Sequence, residues 1–458
     1  MMTKNHLIAG VLGAGLLVSA SGCESVVDDL NDDPNNFTTI TLDLALNQAQ
    51  LNQASLVGGL PAHLAAMWTD QFTGGDRQYI TFDNYQINAG SFDEIWEDIY
   101  QRGIVQAVEA EEIAAAQGAN LQRGAALILQ GYYLGEAASM FGDVPFQQAN
   151  NITEFTDPQY ESQGDVLRGA IALIDEGLAL VGDGTVQTTG PQIYAFNPTW
   201  ASVGNGLRAR YFLGLMEYEQ ALAAANASGM ADPSDDLAIA SSSTNFGENL
   251  YWQFEIEQRT SYLVVDNASR GISYFRELLS DTTGTSRNAD DDKTDDSARY
   301  AYFIEVGDNF ADNVRYNVTD GFAAIDAPLR IITGAEVQLI RAEAAARTGD
   351  EDQAIEALNA GREYWDTLLG TDNYDELDDD DLPDDTQELV REILTEKFLS
   401  VIGLPTFYDY TRTRNLIGTN SEGVAAPAQR FLYPSTELSS NDNFPGLQPL
   451  TVPLPLYR

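Results

Sequence analysis

Cysteine and histidine are almost absent from this chain, and their scarcity disfavours several classes of chemistry. The 458 residues include one cysteine, Cys23, and two histidines, His6 and His63. A zinc centre with several histidine ligands, a Cys/His dyad and a histidine-based serine triad all need such side chains close together. Removal of an amino-terminal segment that contains His6 would leave only His63. The composition therefore argues against catalysis by any of these centres.

Basic residues are also scarce, with 24 Lys and Arg against 70 Asp and Glu and a formal net charge of -46. A field of this sign repels nucleic acid, anionic lipid headgroups and polyanionic ligands. Most of the acid is expected on a solvated surface, where salt screens its self-repulsion. The length and the 44% hydrophobic content suffice for a large core without disulfides or structural metals.

The amino terminus has the layout of a secretory signal peptide. A charged start and an apolar run over residues 7–18 are followed by small residues at 19–22 and then by Cys23. The run is too short to span a bilayer comfortably. The segment resembles a lipobox, with Ala20 where leucine is commoner. This resemblance implies removal of residues 1–22 and acylation of Cys23, for example by palmitate, which would attach the protein to a membrane.

Helical periodicity recurs in paired segments that are joined by short turns. Apolar residues return every three or four positions within about 91–142, 163–228, 329–368 and 385–403. This spacing is typical of amphipathic helices, and glycines stand where the helices would stop. The pattern predicts a mainly all-α protein whose hairpins resemble tetratricopeptide units and form a scaffold.

Two local patterns predict where helices of these hairpins begin. Ser91 and Glu94 have the spacing of a capping box, in which each side chain satisfies a free backbone N–H. The clearest hairpin is predicted over Leu329 to Trp365, with Ile331 on its apolar face and a turn at Gly349.

Long polar and aromatic segments separate the predicted helices, at 68–90, 229–262 and 280–328. Long irregular segments of this kind commonly carry binding sites. Two acidic runs, at 290–296 and 375–385, have the composition of calcium loops but not the glycine and glutamate positions of an EF-hand. We predict solvated loops there, with structural calcium as the alternative.

Several motifs along the chain occur in an order typical of one family of binding lipoproteins. They are Asn31–Asn36, Tyr132–Phe146 with its Gly-Asp-Val-Pro turn, Trp200–Arg210, Glu336–Arg362, Glu396–Arg414 and Tyr433–Asn443. Through these motifs the chain resembles the SusD/RagB-like nutrient-binding lipoproteins, in the branch whose mature sequence opens with Asn-Asp-x-Pro-Asn. The resemblance spans nearly the whole mature chain.

This resemblance implies a signal peptide over 1–22 and a single α-helical domain over 23–458. It implies four tetratricopeptide-like hairpins as a scaffold, with long irregular loops as the ligand-binding face. The expected protein is not an enzyme and needs no cofactor. It sits lipid-anchored at the cell outer membrane, facing the exterior, with a SusC-like TonB-dependent transporter as its partner.

The ligand-binding residues are sought where aromatic and polar side chains alternate, because aromatic faces stack on sugars while polar groups bind hydroxyls. For Trp68 and Phe72, whose four-residue spacing fits one helix face, core packing is the favoured interpretation. In the segment 251–254, strand-like alternation would expose one pair of side chains and bury the other. The predicted ligand-binding residues are Asp76, Arg77, Tyr79, Tyr85, Tyr251 and Trp252.

The sequence predicts capture of an oligosaccharide for delivery to the transporter, and three alternatives stay open. The ligand could instead be a peptide, within the same transport system. A surface glycoside hydrolase needs only two carboxylates at a suitable separation, which this acidic chain could supply. A pure scaffold would use its helical repeats to organise a surface complex. The negative field favours a neutral or cationic ligand over a sulfated or uronic one.

Overall fold

Helices form most of the backbone in the computed structural model of this protein. The structure describes residues 40–149, 151, 154–187, 192–267, 271–280, 293–305, 313–419 and 427–458. Within it, Leu42–Arg458 is one compact unit. The predicted signal peptide, Cys23 and the Asn31–Asn36 motif lie outside the described residues.

The α-helices follow one another along the chain, and short 3₁₀ or π segments extend several of them. In order they are α1 Leu42–Leu51, α2 Gln53–Gly58, α3 Leu60–Trp68, α4 Arg77–Asp83, α5 Asp93–Glu97, α6 Val105–Gln117, α7 Asn120–Phe141, α8 Gln163–Val181, α9 Trp200–Gly214, α10 Tyr218–Ser228, α11 Leu250–Trp252, α12 Tyr274–Leu279, α13 Ser297–Phe303, α14 Gly334–Thr348, α15 Glu351–Leu369, α16 Thr386–Ser400, α17 Leu404–Thr413 and α18 Ser435–Ser440. One π-helical segment, Asp98–Ile104, joins α5 to α6, and another, Gln253–Gln258, follows α11.

The strands are short and pair only two by two, all antiparallel. They are β1 Thr73–Gly74, β2 Val144–Pro145, β3 Tyr160–Glu161, β4 Leu237–Ile239, β5 Leu263–Val264, β6 Asp266–Asn267, β7 Asn313–Val314 and β8 Leu329–Ile332. The pairs are β1 with β5, β2 with β3, β4 with β8, and β6 with β7. They fasten the irregular segments to the helical scaffold rather than forming a core of their own.

Neighbouring helices pack in hairpins and confirm the mainly all-α prediction. Helix α7 packs between α6 and α8, α9 pairs with α10, and α14 pairs with α15 while also contacting α10 and α16. Glycines let α7 and α8 approach closely, because a Cβ on Gly124 would lie 2.7 Å from the carbonyl oxygen of Gly177. Two of the segments predicted as hairpins differ: 163–228 contains three helices, and 385–403 contains the single helix α16, which α17 follows.

Buried ion pairs join these hairpins. The Arg210 guanidinium on α9 donates to Glu336 on α14 at 2.7 and 2.8 Å and lies 3.2 Å from Glu136 on α7. Likewise, Arg412 on α17 donates twice to Glu343 on α14, at 2.8 Å each. The arginines and carboxylates of the family-like motifs therefore hold the scaffold together.

The capping box predicted at Ser91 is wrong. Ser91 lies inside a 3₁₀ turn, Ala89–Phe92, and α5 begins after it without a side-chain cap. The carboxylate that opens α5, Asp93, instead accepts from Ser435 Oγ at 2.7 Å and from the Thr436 amide at 3.1 Å. Tertiary contact thus replaces the predicted capping box.

The hairpin predicted from Leu329 begins later because its first residues form a strand. Residues Leu329–Ile332 pair with Leu237–Ile239, and α14 starts only at Gly334, where the Thr333 side chain caps the Glu336 amide. The β-branched Ile331 and Ile332 fit the pleated pairing better than a helix.

The described residues hold no helix that is long and apolar enough to cross a membrane. In the same part of the chain, no group of three or more Asp, Glu, His or Cys side chains is placed to hold a metal ion. The structure describes the first acidic run only from residue 293 onward. Lys293 in that run forms ion pairs with the second acidic run. Its Nζ lies 2.5 Å from Asp381 and 3.5 Å from Asp378.

Candidate functional site

The two segments that carry the predicted ligand residues meet in space. Strand β1 pairs with β5, with Thr73 opposite Val264 and Gly74 opposite Leu263. The pairing places α4 and its preceding turn beside residues 251–262. A single surface can therefore draw on both segments, although they are far apart in the sequence.

An aromatic cluster lies beneath this surface and includes two of the predicted ligand residues. Tyr79 and Tyr251 are each only 3% exposed, and both rings pack on His63 with centroids 5.9 and 5.1 Å away. The Tyr79 hydroxyl lies 2.9 Å from His63 Nδ1. Phe254 closes the cluster, 4.7 Å from the His63 ring. Both tyrosines thus lie in the core, and their rings are not offered to a surface ligand.

Burial governs the ionisation of this cluster. It lowers the pKa of His63 to about 3, so the imidazole is neutral at physiological pH. It also raises the pKa of Tyr79 and of Tyr251, which keeps both phenols protonated. His63 is 2% exposed, and this buried position gives its ring no access to a substrate.

Asp76 and Arg77, two of the predicted ligand-binding residues, lie on the surface. The Asp76 carboxylate caps α4 by accepting from the Arg77 amide at 2.8 Å. The side chains of Arg77 and Asp76 are 75% and 54% exposed, and their charged atoms approach to 3.7 Å. Solvent screening makes this ion pair worth little to stability, so both groups are available to a ligand.

Two further residues, which sequence reasoning missed, complete this surface. The guanidinium carbons of Arg77 and Arg259 lie 5.9 and 5.5 Å from the centroid of the Tyr262 ring. We call Asp76, Arg77, Arg259 and Tyr262 the Tyr262 patch. The Arg-x-x-Tyr spacing of residues 259–262 was visible in the sequence, but only the β1–β5 pairing shows that Arg77 joins it.

A buried carboxylate positions the turn that carries Tyr262. Glu255 accepts from the Ser261 amide at 2.8 Å, and Ser261 has a left-handed backbone with φ 61°. Burial raises the pKa of Glu255 to about 7, although this hydrogen bond and the nearby Arg315 oppose the shift. Because Ser261 is not glycine, the surrounding structure holds this turn in a sparsely populated conformation.

The remaining predicted residues, Tyr85 and Trp252, are half-buried. The Tyr85 ring packs edge-on against Trp68, with centroids 5.9 Å apart. Trp68 itself is 1% exposed, as is Phe72, which confirms the core interpretation of these two residues. Residues 251–254 are helical, so the predicted strand-like alternation is wrong: Tyr251 and Phe254, three positions apart, are the buried pair.

Left-handed backbone conformations are frequent in the chain segments that contain or adjoin the predicted ligand residues. Eight non-glycine residues have positive φ in the part of the chain that the structure describes, and five of them lie within 70–85 or 246–261. Strain of this kind clusters at functional sites. These five are Asp70, Arg77, Tyr85, Phe246 and Ser261.

The chain resembles known proteins in both sequence and structure. The sequence profile of the SusD-like family, described as starch-binding and associating with the outer membrane, matches residues 34–434. A search of curated proteins found no significant match. Among solved structures, a SusD homologue from Bacteroides fragilis is 18% identical with a TM-score of 0.66, covering 88% of this chain and 94% of that chain. A chitin-binding SusD homologue from Flavobacterium johnsoniae is 14% identical with a TM-score of 0.63, covering 86% and 93%.

The paired helices and the irregular surface fastened to them define a tetratricopeptide-like scaffold protein with its candidate site on the loops. Because the family profile covers most of the sequence, the chain belongs to the SusD-like family.

Proposed function

We propose that this protein binds glycans at the outer cell surface and hands them to a SusC-like TonB-dependent transporter. The observation that carries the proposal is the Tyr262 patch, in which a half-buried aromatic ring lies beside the exposed side chains of Arg77 and Arg259. The family description as starch-binding and the chitin-binding relative support the same ligand class.

The chemistry of the Tyr262 patch suits a sugar. An aromatic face packs against the C–H groups of a pyranose ring, while guanidinium and carboxylate groups hydrogen-bond its hydroxyls. Asp76 supplies acceptors, and Arg77 and Arg259 supply donors. Because these groups lie on a short helix and a hydrogen-bonded turn, the protein loses less conformational entropy when a ligand binds.

Affinity electrophoresis through gels that contain soluble starch or glycol chitin tests this role. Tyr262→Ala should lower the affinity obtained from the retardation about tenfold, equivalent to about 1.4 kcal/mol of binding free energy, because the stacking surface is lost. Tyr218→Ala is the matched control, since Tyr218 on α10 is also half-buried and has the guanidinium carbon of Arg347 5.0 Å from its ring centroid. Unchanged retardation of Tyr262→Ala, in a protein that does bind the glycan, would remove the Tyr262 patch from the ligand site.

The membrane part of the proposal rests on Cys23, which we propose as the site of lipid attachment. Cys23→Ala should move the protein from the membrane fraction to the soluble fraction without changing glycan retardation. Full membrane association of this variant would contradict lipid anchoring.

For the transporter contact, we propose Phe246 as an apolar anchor. Its side chain is 98% exposed at the tip of a loop closed by two backbone hydrogen bonds, Ser242 N to Gly247 O at 2.7 Å and Gly247 N to Thr244 O at 2.8 Å. Exposed aromatics on ordered loops often act as interface hot spots. Phe246→Ser should reduce co-purification of a TonB-dependent barrel from outer membranes in mild detergent, whereas recovery equal to wild type would exclude the anchor role.

A further inference from the structure

A second groove, separate from the Tyr262 patch, lies at the start of the first helical hairpin. It has a volume of about 470 Å³ and runs between α5 with its π-helical extension, the segment after β2, and α18. This size is within the range of small-molecule sites. We call it the Trp96 groove.

The apolar part of the groove is a fixed aromatic surface. The rings of Trp96 and Tyr100 pack with centroids 4.6 Å apart, and Trp96 also packs edge-on against Phe141 at 5.2 Å. The Tyr100 hydroxyl donates to the Pro145 carbonyl at 2.7 Å, which sets the orientation of its ring. Phe155 adds a half-buried ring to the same groove.

The polar part consists of carboxylates and an amide at the rim. Glu437 Oε2 accepts from the Tyr160 hydroxyl at 2.7 Å and from Asn441 Nδ2 at 3.1 Å, so the carboxylate is held in place. Both of these bonds use Oε2, and Oε1 stays available as an acceptor. Gln101 is exposed, and Glu97 lines the groove with a guanidinium of Arg102 3.4 Å from it.

We propose that the Trp96 groove is a second carbohydrate-binding site that takes a neutral sugar unit. The half-buried rings of Tyr100 and Phe155 offer a stacking face that the buried Trp96 supports, and the rim offers planar hydrogen-bonding groups for hydroxyls. Its carboxylates, Asp93, Glu97 and Glu437, repel a uronic or sulfated unit, which favours a neutral sugar over an anionic one. This inference rests on the proposed glycan-binding function and extends it to a second site.

A continuous set of aromatic contacts links the groove to the predicted ligand segment. From Trp96 the contacts pass through Phe141, Phe431 and Trp68 to Tyr85, with successive centroids 5.2, 5.9, 5.4 and 5.9 Å apart. The Trp68 indole N–H also donates to the Phe82 carbonyl at 3.1 Å, so the helix that carries Arg77 is held on the same packed layer as the groove. Two sites engaged by one chain would raise its avidity.

Hydrogen–deuterium exchange of the full-length protein with linear oligomers of N-acetylglucosamine or of α-1,4-linked glucose tests the groove. Binding should slow exchange in 93–101 and 436–440 as well as in 76–85 and 251–262. Phe155→Ala and Gln101→Ala should each abolish protection of the first two segments and weaken affinity about tenfold. Gln117→Ala, at an exposed position at the end of α6, is the matched control for the glutamine variant and should behave as wild type.

The outcomes separate the two proposals. Protection confined to 76–85 and 251–262 overturns the Trp96 groove and leaves the Tyr262 patch standing. Protection confined to 93–101 and 436–440 supports the groove and removes the Tyr262 patch. No protection and no binding by either oligomer overturns both.

Discussion

Arg210 is buried between two carboxylates, Glu136 and Glu336, that belong to different helices. Arg210→Leu would leave both carboxylates buried without their cation, and we expect a loss of about 3–5 kcal/mol in the free energy of unfolding. Arg208 lies two residues earlier and pairs with the half-exposed Asp175 at 2.7 Å, so Arg208→Leu should cost less than about 1 kcal/mol. Urea denaturation measures both variants, and equal small losses would contradict the assigned role of Arg210.

His63 makes a second residue-scale prediction, about pH. Its pKa is lowered from 6.5 to about 3 by burial, so between these values the unfolded chain binds a proton that the folded chain does not. This contribution to stability is present above pH 6.5 and is lost as pH falls toward 3. The free energy of unfolding of wild type should therefore fall more steeply with acidification than that of His63→Phe.

Denaturation curves at pH 7, 6 and 5 would check this difference. Asp236 and Glu255 have raised pKa values of about 6 and 7, and they give contributions of opposite sign. Both groups are present in wild type and variant, so they cancel in the comparison. Parallel pH profiles for the two proteins would contradict a buried, neutral His63.

Composition indicated the ligand segments but not the direction of each side chain. Tyr79 and Tyr251 belong to aromatic-polar stretches like their neighbours, yet they pack on His63 in the core. Arg259 and Tyr262 were missed because Arg77 reaches them only through the β1–β5 pairing. Aromatic residues serve equally in cores and in sugar sites, so their role depends on a long-range pairing that local pattern does not carry.

At the scale of helices, close approach fixes how α7 lies on α8. A Cβ on Gly131 would lie 2.6 Å from the carbonyl oxygen of Ala170, so Gly131→Ala should destabilise the fold by about 1–3 kcal/mol despite better helix propensity. Gly214 on α9 is the control, because its nearest neighbour would be 3.6 Å away and Gly214→Ala should be neutral or slightly stabilising. Chemical denaturation separates the two, and a Gly131→Ala protein as stable as wild type would contradict this packing.

Helices were the most predictable elements because their apolar spacing is local. The start of α7 at Asn120 and its stop at Gly142 follow from signals within a few residues. Strand β8 was predicted as helix, and a cap was predicted at Ser91 where none forms. Both errors have the same cause. In both places a partner distant in the sequence, β4 or Ser435, determines the local conformation.

At the scale of the whole molecule, charge is the dominant feature. With a formal net charge of -46, self-repulsion opposes the compact state, and salt should relieve it. The melting temperature should therefore rise between about 0.01 M and 1 M NaCl, over which the Debye length falls from roughly 30 to 3 Å. Differential scanning calorimetry would show this, and a melting temperature that stays constant or falls would mean that the acidic surface costs no stability.

Isothermal titration of the full-length protein with a panel of oligosaccharides tests the central claim of glycan binding most directly. The panel should contain neutral oligomers of the chitin and starch types, a uronic oligomer and short peptides, at a salt concentration that screens the protein charge. We predict saturable binding of at least one neutral oligosaccharide and none of the peptides. Binding of peptides with no response to any glycan would contradict the proposed function.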